Sequence, residues 1–324
     1  MSTARYHVLH ETVYEYATPV ALSQHLLHLS PRELALQQVD SHHLAIEPVA
    51  AEQVRYLDWF GNPIVWLAVR TPHTVLRLLA VSTIAAQPRP GAWRLSPGPP
   101  WETVAAAVGQ FPATEPLDVQ ECALPSLHVP LNAAVRDWAL ESFLPSRPLL
   151  DATRELMARI YREFRFDPEA SSVTTSVATT FARKRGVCQD FAHLMLSALR
   201  SLGLAARYMS GYLLTHPPPG QPRLIGADAS HAWVSLWCPG IGWVDFDPTN
   251  HVQPDLEHIV LGWGRDFADV TPMRGVILGG GAHEVRVHVT VMPAALRSLD
   301  SLMAEVQEQA HLDPAQAPSM WTRE

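Results

Sequence analysis

Apolar and polar positions alternate strictly at the start of the chain. From Arg5 to Tyr16 the residues Tyr6, Val8, His10, Thr12 and Tyr14 fall on one face, the period of a strand rather than a helix. Short runs of the same kind follow at Ser41–Pro48, Gln53–Asp58, Pro63–Val69 and Thr74–Ile84. Turn residues punctuate them at Phe60-Gly61-Asn62-Pro63 and Thr71-Pro72-His73. These spacings predict a β-rich first domain, a sandwich or small barrel, over residues 1–88. Residues 89–100 form a linker inside a stretch (Gln87–Pro100) with five prolines, too many for a helix or a central strand.

Beyond the linker the period changes to that of a helix. Leu131–Phe143 and Leu149–Phe164 carry apolar residues three and four apart, and Leu149, Thr153, Leu156, Ile160 and Phe164 share one face. In GVCQDFAHLMLSALRSLG, Phe191, Met195, Ala198 and Leu202 form a stripe, with Leu194 and Leu199 beside it. Gly203 ends that helix as a C-cap glycine, so Cys188 falls at its N-terminus. Strands are then predicted at Leu204–Leu214, His231–Cys238, Gly242–Asp247, Asp269–Leu278 and Glu284–Val291, with Pro239-Gly240 as a hairpin turn. The fold class is α+β: a sandwich-like N-terminal domain, then a core over 101–293 whose cysteine helix packs on an antiparallel sheet. Residues 294–324 read as a helix (Leu296, Leu299, Leu302, Val306) running into a polar tail.

Composition narrows the function. The 324 residues carry 24 Lys and Arg against 32 Asp and Glu, a formal charge of −8, which argues against a nucleic-acid or anionic-membrane partner. No run of apolar residues is long enough to span a bilayer and no basic-then-apolar leader opens the chain, so a cytoplasmic protein is expected. Three cysteines (Cys122, Cys188, Cys238) cannot make a disulfide framework, and neither CxxC nor HExxH occurs, so no metal and no cofactor is expected.

The chemistry lies in placement. Cys188 stands where the helix dipole and unpaired N–H groups favour an anion. His231 opens one strand and Asp247 closes the next, and the hairpin between them brings the two opposite each other to within one or two residues. A carboxylate beside an imidazole fixes its tautomer and stabilises the imidazolium, and an imidazolium beside a thiolate makes a nucleophile at neutral pH. Each residue alone has a plainer reading: a buried thiol, a strand histidine, a turn aspartate. Asp245 shares a strand face with Asp247 and competes with it locally. Asp190, in the first helical turn, is expected to be structural. His193, about 140° around the helix from Cys188, is expected to make a hydrogen bond on another face. Gln189, Tyr212 and Trp233 are the candidates for substrate contact, although rings such as Tyr212, Trp233 and Trp243 serve equally well as core.

Three blocks, GVCQDFAHLMLSALRSLGLAARYMSGYL, DASHAWVSLW and GWVDFDPTN, together with RYHVLHETVYEYATPV, HLSPRE, DWFGN and GRDFADVTPMRGV, resemble the bacterial transglutaminase-like family. That family belongs to the papain-related transglutaminase superfamily. The resemblance implies Cys188 as nucleophile, His231 as general base then acid, and Asp247 as the group orienting His231. It implies attack on a peptide or glutamine amide through a Cys thioester, then hydrolysis or transfer to an amine. The partners would be a peptide or protein substrate and an amine acceptor. The alternative is a non-catalytic protein- or peptide-binding module on the same fold, in which Cys188 would be no more reactive than Cys122 or Cys238. The Pro-rich stretch Thr215–Ala229, just ahead of His231, is a candidate access loop.

Overall fold

A computed structural model describes residues 3–89, 96–110, 115–172, 174–216 and 228–304. The first strands are β1 (Ala4–Leu27), β2 (Gln37–Glu47), β3 (Glu52–Leu57), β4 (Pro63–Val69) and β5 (His73–Ala86). Helices α1 (Trp101–Val108), α2 (Leu117–Glu121), α3 (Ala133–Leu140) and α4 (Leu149–Glu163) follow. Next come β6 (Arg165–Phe166), α5 (Val177–Arg183), β7 (Arg185–Gly186) and α6 (Cys188–Ser201). The last strands are β8 (Ala206–Leu213), β9 (Ser230–Cys238), β10 (Gly242–Phe246), β11 (His258–Gly264), β12 (Met273–Gly279) and β13 (His283–Pro293).

β1 organises the first sheet. Its first half, as far as Tyr16, pairs antiparallel with β5 on one side and β13 on the other. Its second half, from Val20 on, pairs with β4 and β12. The two halves close over a shared core of Val20, Leu27, Leu44, Val65, Leu67, Leu76 and Leu78. The sheet thus folds over itself, in keeping with the sandwich-like expectation.

β12 and β13, which fall within residues 101–293 of the expected core, complete the first sheet along β1. Alternation shows which face of a strand is buried but not which strand it joins, and a strand as long as β1 has edge left for two more partners. The C-terminal helix also starts later than expected: residues 294–296 make a turn, and helix runs from 299 to the end of the described residues at 304. There Leu302 is buried with Leu9, Val81 and Met292.

The second sheet has the order β10-β9-β8-β11, all antiparallel. Helix α6 lies against it, buried from Asp190 to Arg200, in a core shared with α3, α4, β8 and β9. The predicted stripe is the reason: Phe191, Leu194, Met195, Ala198 and Leu199 all lose their water on packing. The helix ends as read, with Gly203 at φ 79° and Leu204 N–H bonding back to the Leu199 carbonyl at 3.1 Å. No described helix is long and apolar enough to cross a membrane.

Candidate active site

The end of α6 is built by a close approach. Asp190 Oδ2 accepts the Val187 backbone N–H at 2.8 Å, capping the helix start. Gly186 makes room for it, since a Cβ there would fall 2.6 Å from the same oxygen. Asp190 is 2 % exposed and its structural role is as expected. Cys188, the first residue of α6, is half-buried, as is Gln189 beside it.

The hairpin β9–β10 supplies the other two groups. Phe246 pairs with Val234, so Asp247 arrives two residues from the position opposite His231. The side chains meet: His231 Nε2 stands 2.8 Å from Asp247 Oδ2, with 9 % and 0 % side-chain exposure. With Nε2 engaged, Nδ1 is the ring nitrogen left for Cys188, which lies near enough to His231 to raise the imidazole's proton affinity. Burial pushes the imidazole down, but the Asp247 charge, the Asp247 hydrogen bond and Cys188 together carry its pKa up to about 10. Burial likewise opposes charge on Asp247, yet His231 and His258 hold its carboxyl well below the usual carboxylate range. The other two cysteines differ sharply: both are buried, and burial pushes each thiol up to about 11.

The competing carboxylate is committed elsewhere. Asp245 Oδ2 pairs with Arg89 Nη2 at 2.6 Å and accepts the Trp233 indole N–H at 3.3 Å. His193 is also as read: its Nε2 accepts the Phe267 backbone N–H at 3.2 Å, and burial keeps it neutral, with its pKa pushed down to about 3.

Two of the three substrate-contact candidates are corrected by burial. Trp233 is 0 % exposed and its ring lies near-parallel to His231, centroids 6.1 Å apart, as a wall behind the imidazole. Tyr212 is 1 % exposed and hydrogen-bonds His10 Nδ1 of β1 at 2.9 Å, so it joins the two sheets. Neither ring offers a face to a substrate. Gln189 alone of the three is half-buried rather than buried. Residues 217–227 of the proposed access loop lie outside the described residues.

Two residues of the site escaped the sequence reading. Asn250 Nδ2 donates to Asp247 Oδ2 at 2.8 Å, and the Thr249 and Asn250 backbone N–H groups donate to Oδ1 at 2.9 and 3.3 Å. The Asp-Pro-Thr-Asn turn held that signal, because an Asx side chain commonly bonds the backbone two residues on. His258, the first residue of β11, puts its Nε2 3.0 Å from the same Oδ2. Nothing local marks it. Among the described residues, His231, Asp247 and His258 are the one group with three potential metal-ligand atoms, within 4.8 Å of one another. The two Nε2 atoms stand 2.8 and 3.0 Å from Asp247 Oδ2, both hydrogen-bond distances to one shared oxygen.

The bacterial transglutaminase-like N-terminal region matches residues 6–85, and the transglutaminase-like superfamily core matches residues 137–248. An uncharacterised protein of Mycobacterium tuberculosis is 39 % identical over 301 residues, 90 % of this chain and 93 % of its own length. The chain belongs to the transglutaminase-like superfamily. An uncharacterised protein of Mycobacterium leprae is 31 % identical over 296 residues, 89 % of this chain and 98 % of its own length. A protein-glutamine gamma-glutamyltransferase of Pseudomonas aeruginosa is 29 % identical over 164 residues, 46 % of this chain but 24 % of that protein. Among solved structures, a proposed cysteine protease from Cytophaga hutchinsonii shares the transglutaminase-like fold: TM-score 0.71, 18 % identity, covering 90 % of this chain and 91 % of that one.

Proposed function

We propose that the protein is a cysteine acyltransferase or amidohydrolase acting on peptide or glutamine amides. One observation carries this reading: a histidine held 2.8 Å from a fully buried aspartate lies beside the cysteine that starts a buried helix. Cys188 thiolate attacks the amide carbonyl carbon, and the carbonyl π pair moves to oxygen. The Cys188 backbone N–H, unpaired at the helix start, stabilises that oxyanion, a contribution of ~3 kcal/mol for a well-placed donor. The intermediate collapses, the C–N bond breaks, and the His231 imidazolium gives its proton to the departing ammonia or amine. The thioester then passes its acyl group to a primary amine or to water, whose proton returns to His231. Asp247 keeps the imidazole in the tautomer that presents Nδ1 to sulfur.

The test is iodoacetamide labelling from pH 4 to 9, mapped by peptide mass, on the parent and on His231→Ala. Cys188 is expected to label alone at pH 5–6 and to lose that reactivity without His231. Cys122 and Cys238 are internal controls, since burial suppresses both thiolates. Labelling of Cys188 only near pH 8.5, as for an ordinary thiol, would favour the binding-module alternative. Incubation of a glutamine peptide with and without a primary amine then separates transfer from hydrolysis. Cys188→Ala is expected to lower turnover by ~10⁴-fold or more in either case.

A further inference from the structure

His231 is one of two histidines that compete for a single oxygen. His231 and His258 each place Nε2 against Asp247 Oδ2, at 2.8 and 3.0 Å, with their rings 5.8 Å apart and inclined by 57°. His258 is 7 % exposed, and its ring edge meets the face of Trp233 at 5.3 Å and 80°. Asp247 does not need His258 to stay in place, because Asn250 and two backbone N–H groups already fix the carboxylate. A further donor on Oδ2 therefore acts on charge: it draws density from the oxygen that His231 would otherwise share with Asn250 alone.

The strand that carries His258 is held from outside its own sheet. β11 is an edge strand, and the N-terminal domain satisfies its outward backbone with two side-chain amides. Gln37 Nε2 donates to the Val260 carbonyl and Gln37 Oε1 accepts the Val260 N–H, both at 2.8 Å. Asn62 does the same for Trp263, at 2.8 and 3.0 Å. Gly262 permits this approach, since a Cβ there would fall 2.6 Å from Asn62 Oδ1.

We propose that His258 is a positioning residue of the Cys188 site: by sharing Asp247 Oδ2 it limits how firmly the carboxylate holds the His231 proton, and the N-terminal domain keeps it there through β11. This rests on the reading of Cys188 as nucleophile. The benefit is to the acid step, because an imidazolium held too tightly is slow to protonate a leaving amine. The charged and titratable groups around His258 are few. His231 and Asp247 face its ring, its backbone N–H bonds the Asp255 carbonyl at 3.2 Å, and Glu257 beside it is paired with His216 at 2.8 Å.

The experiment compares parent, His258→Phe and His258→Gln in the pH profile of Cys188 alkylation from pH 4 to 11, and in kcat and KM on a glutamine peptide. Phe keeps a ring against Trp233 without the donor, and its alkaline limb is expected to move up by about half to one pH unit, roughly a 3- to 10-fold gain in proton affinity. Its kcat should fall several-fold with KM unchanged. Gln presents an amide N–H near the same point and should restore the parent profile. Superposed profiles for Phe and parent, a downward shift, or Gln behaving as Phe would overturn the inference. A parent that fails to label at acid pH instead refutes the nucleophile reading. If His258→Phe does not fold, ¹⁵N spectra of the parent decide: a protonated His258 Nε2 is required, and an unprotonated one overturns the proposal.

Discussion

Asn62→Ala tests whether the first domain holds the second sheet as the contacts indicate. Asn62 is 1 % exposed and its side chain makes four hydrogen bonds. Nδ2 donates to Asp58 Oδ2 and the Trp263 carbonyl, and Oδ1 accepts from Arg32 Nη1 and the Trp263 N–H. Alanine removes all four at once. Arg32 keeps the Phe60 carbonyl at 2.8 Å and Asp58 keeps His28 at 3.4 Å, but the Trp263 N–H and carbonyl lose their partner on the sheet edge. At about 1–3 kcal/mol for each buried polar group left bare, the cost is roughly 3–5 kcal/mol. That is a large part of a usual total of about 5–15 kcal/mol. In urea, with a slope on the order of 3 kcal/mol per molar, the midpoint should fall by about 1–1.7 M. Gly262→Ala attacks the same contact from the other side, driving a Cβ to within 2.8 Å of Asn62 Cγ. The double variant should therefore cost less than the sum of the two. A midpoint for Asn62→Ala within about 0.3 M of the parent, which corresponds to less than ~1 kcal/mol, would refute the reasoning.

Two further expectations concern charge. Asp247→Asn should lower turnover by ~10³–10⁴-fold with the fold intact, because an amide can present the wrong polarity to His231 Nε2. Asp245→Asn should keep activity within ~10-fold of the parent while costing about 3 kcal/mol, since it breaks the Arg89 pair; an equal loss of activity in both variants would return the orienting role to Asp245. Stability should also fall in acid. His10, His25 and His193 are each 2–3 % exposed, and burial pushes them down to about 4, 4 and 3. The unfolded chain binds protons at these sites near pH 6.5 and the folded chain does not, so stability present above that pH is lost as pH falls towards 4, about 2 kcal/mol for each site by pH 5. His231 works the other way: its contribution is full below pH 6.5 and fades as pH rises through about 10. Urea midpoints from pH 8 to 5 check this, and a flat profile between 7 and 5 would contradict it. His25→Leu, which removes two buried ring nitrogens without partners, should flatten the acid slope by about one proton.

What was legible in the sequence depended on how far apart the decisive contacts lie along the chain. Cys188 was legible because a helix start is a local event: the apolar stripe of α6, Gly186 before it and Gly203 after it all sit within one window. The His231–Asp247 pair was legible because a hairpin converts sequence distance into register, and Pro239-Gly240 marked the turn. Burial of Tyr212 and Trp233 was legible only as one of two readings, core or substrate contact. Tyr212 meets His10 from 202 residues away, and Trp233 is sealed by Met209 and Val260 from strands whose order no local pattern states. The return of β12 and β13 to β1 failed for the same reason. His258 is the instructive case, since it lies outside every strand read from the sequence and becomes part of the site only because β11 takes its place beside β8 in the second sheet. An imidazole on β11 reaches Asp247 across the width of two strands, past Trp233, and the edge that carries it is completed by Gln37 and Asn62 of the first domain. Two acceptors and two donors from those amides replace what a fifth strand would have supplied, so the first domain acts on the chemistry without entering the site. A chain stripped of residues 1–88 would lose β1 as the partner of β12 and β13 and leave the β11 edge bare, and the orientation of His258 would go with it.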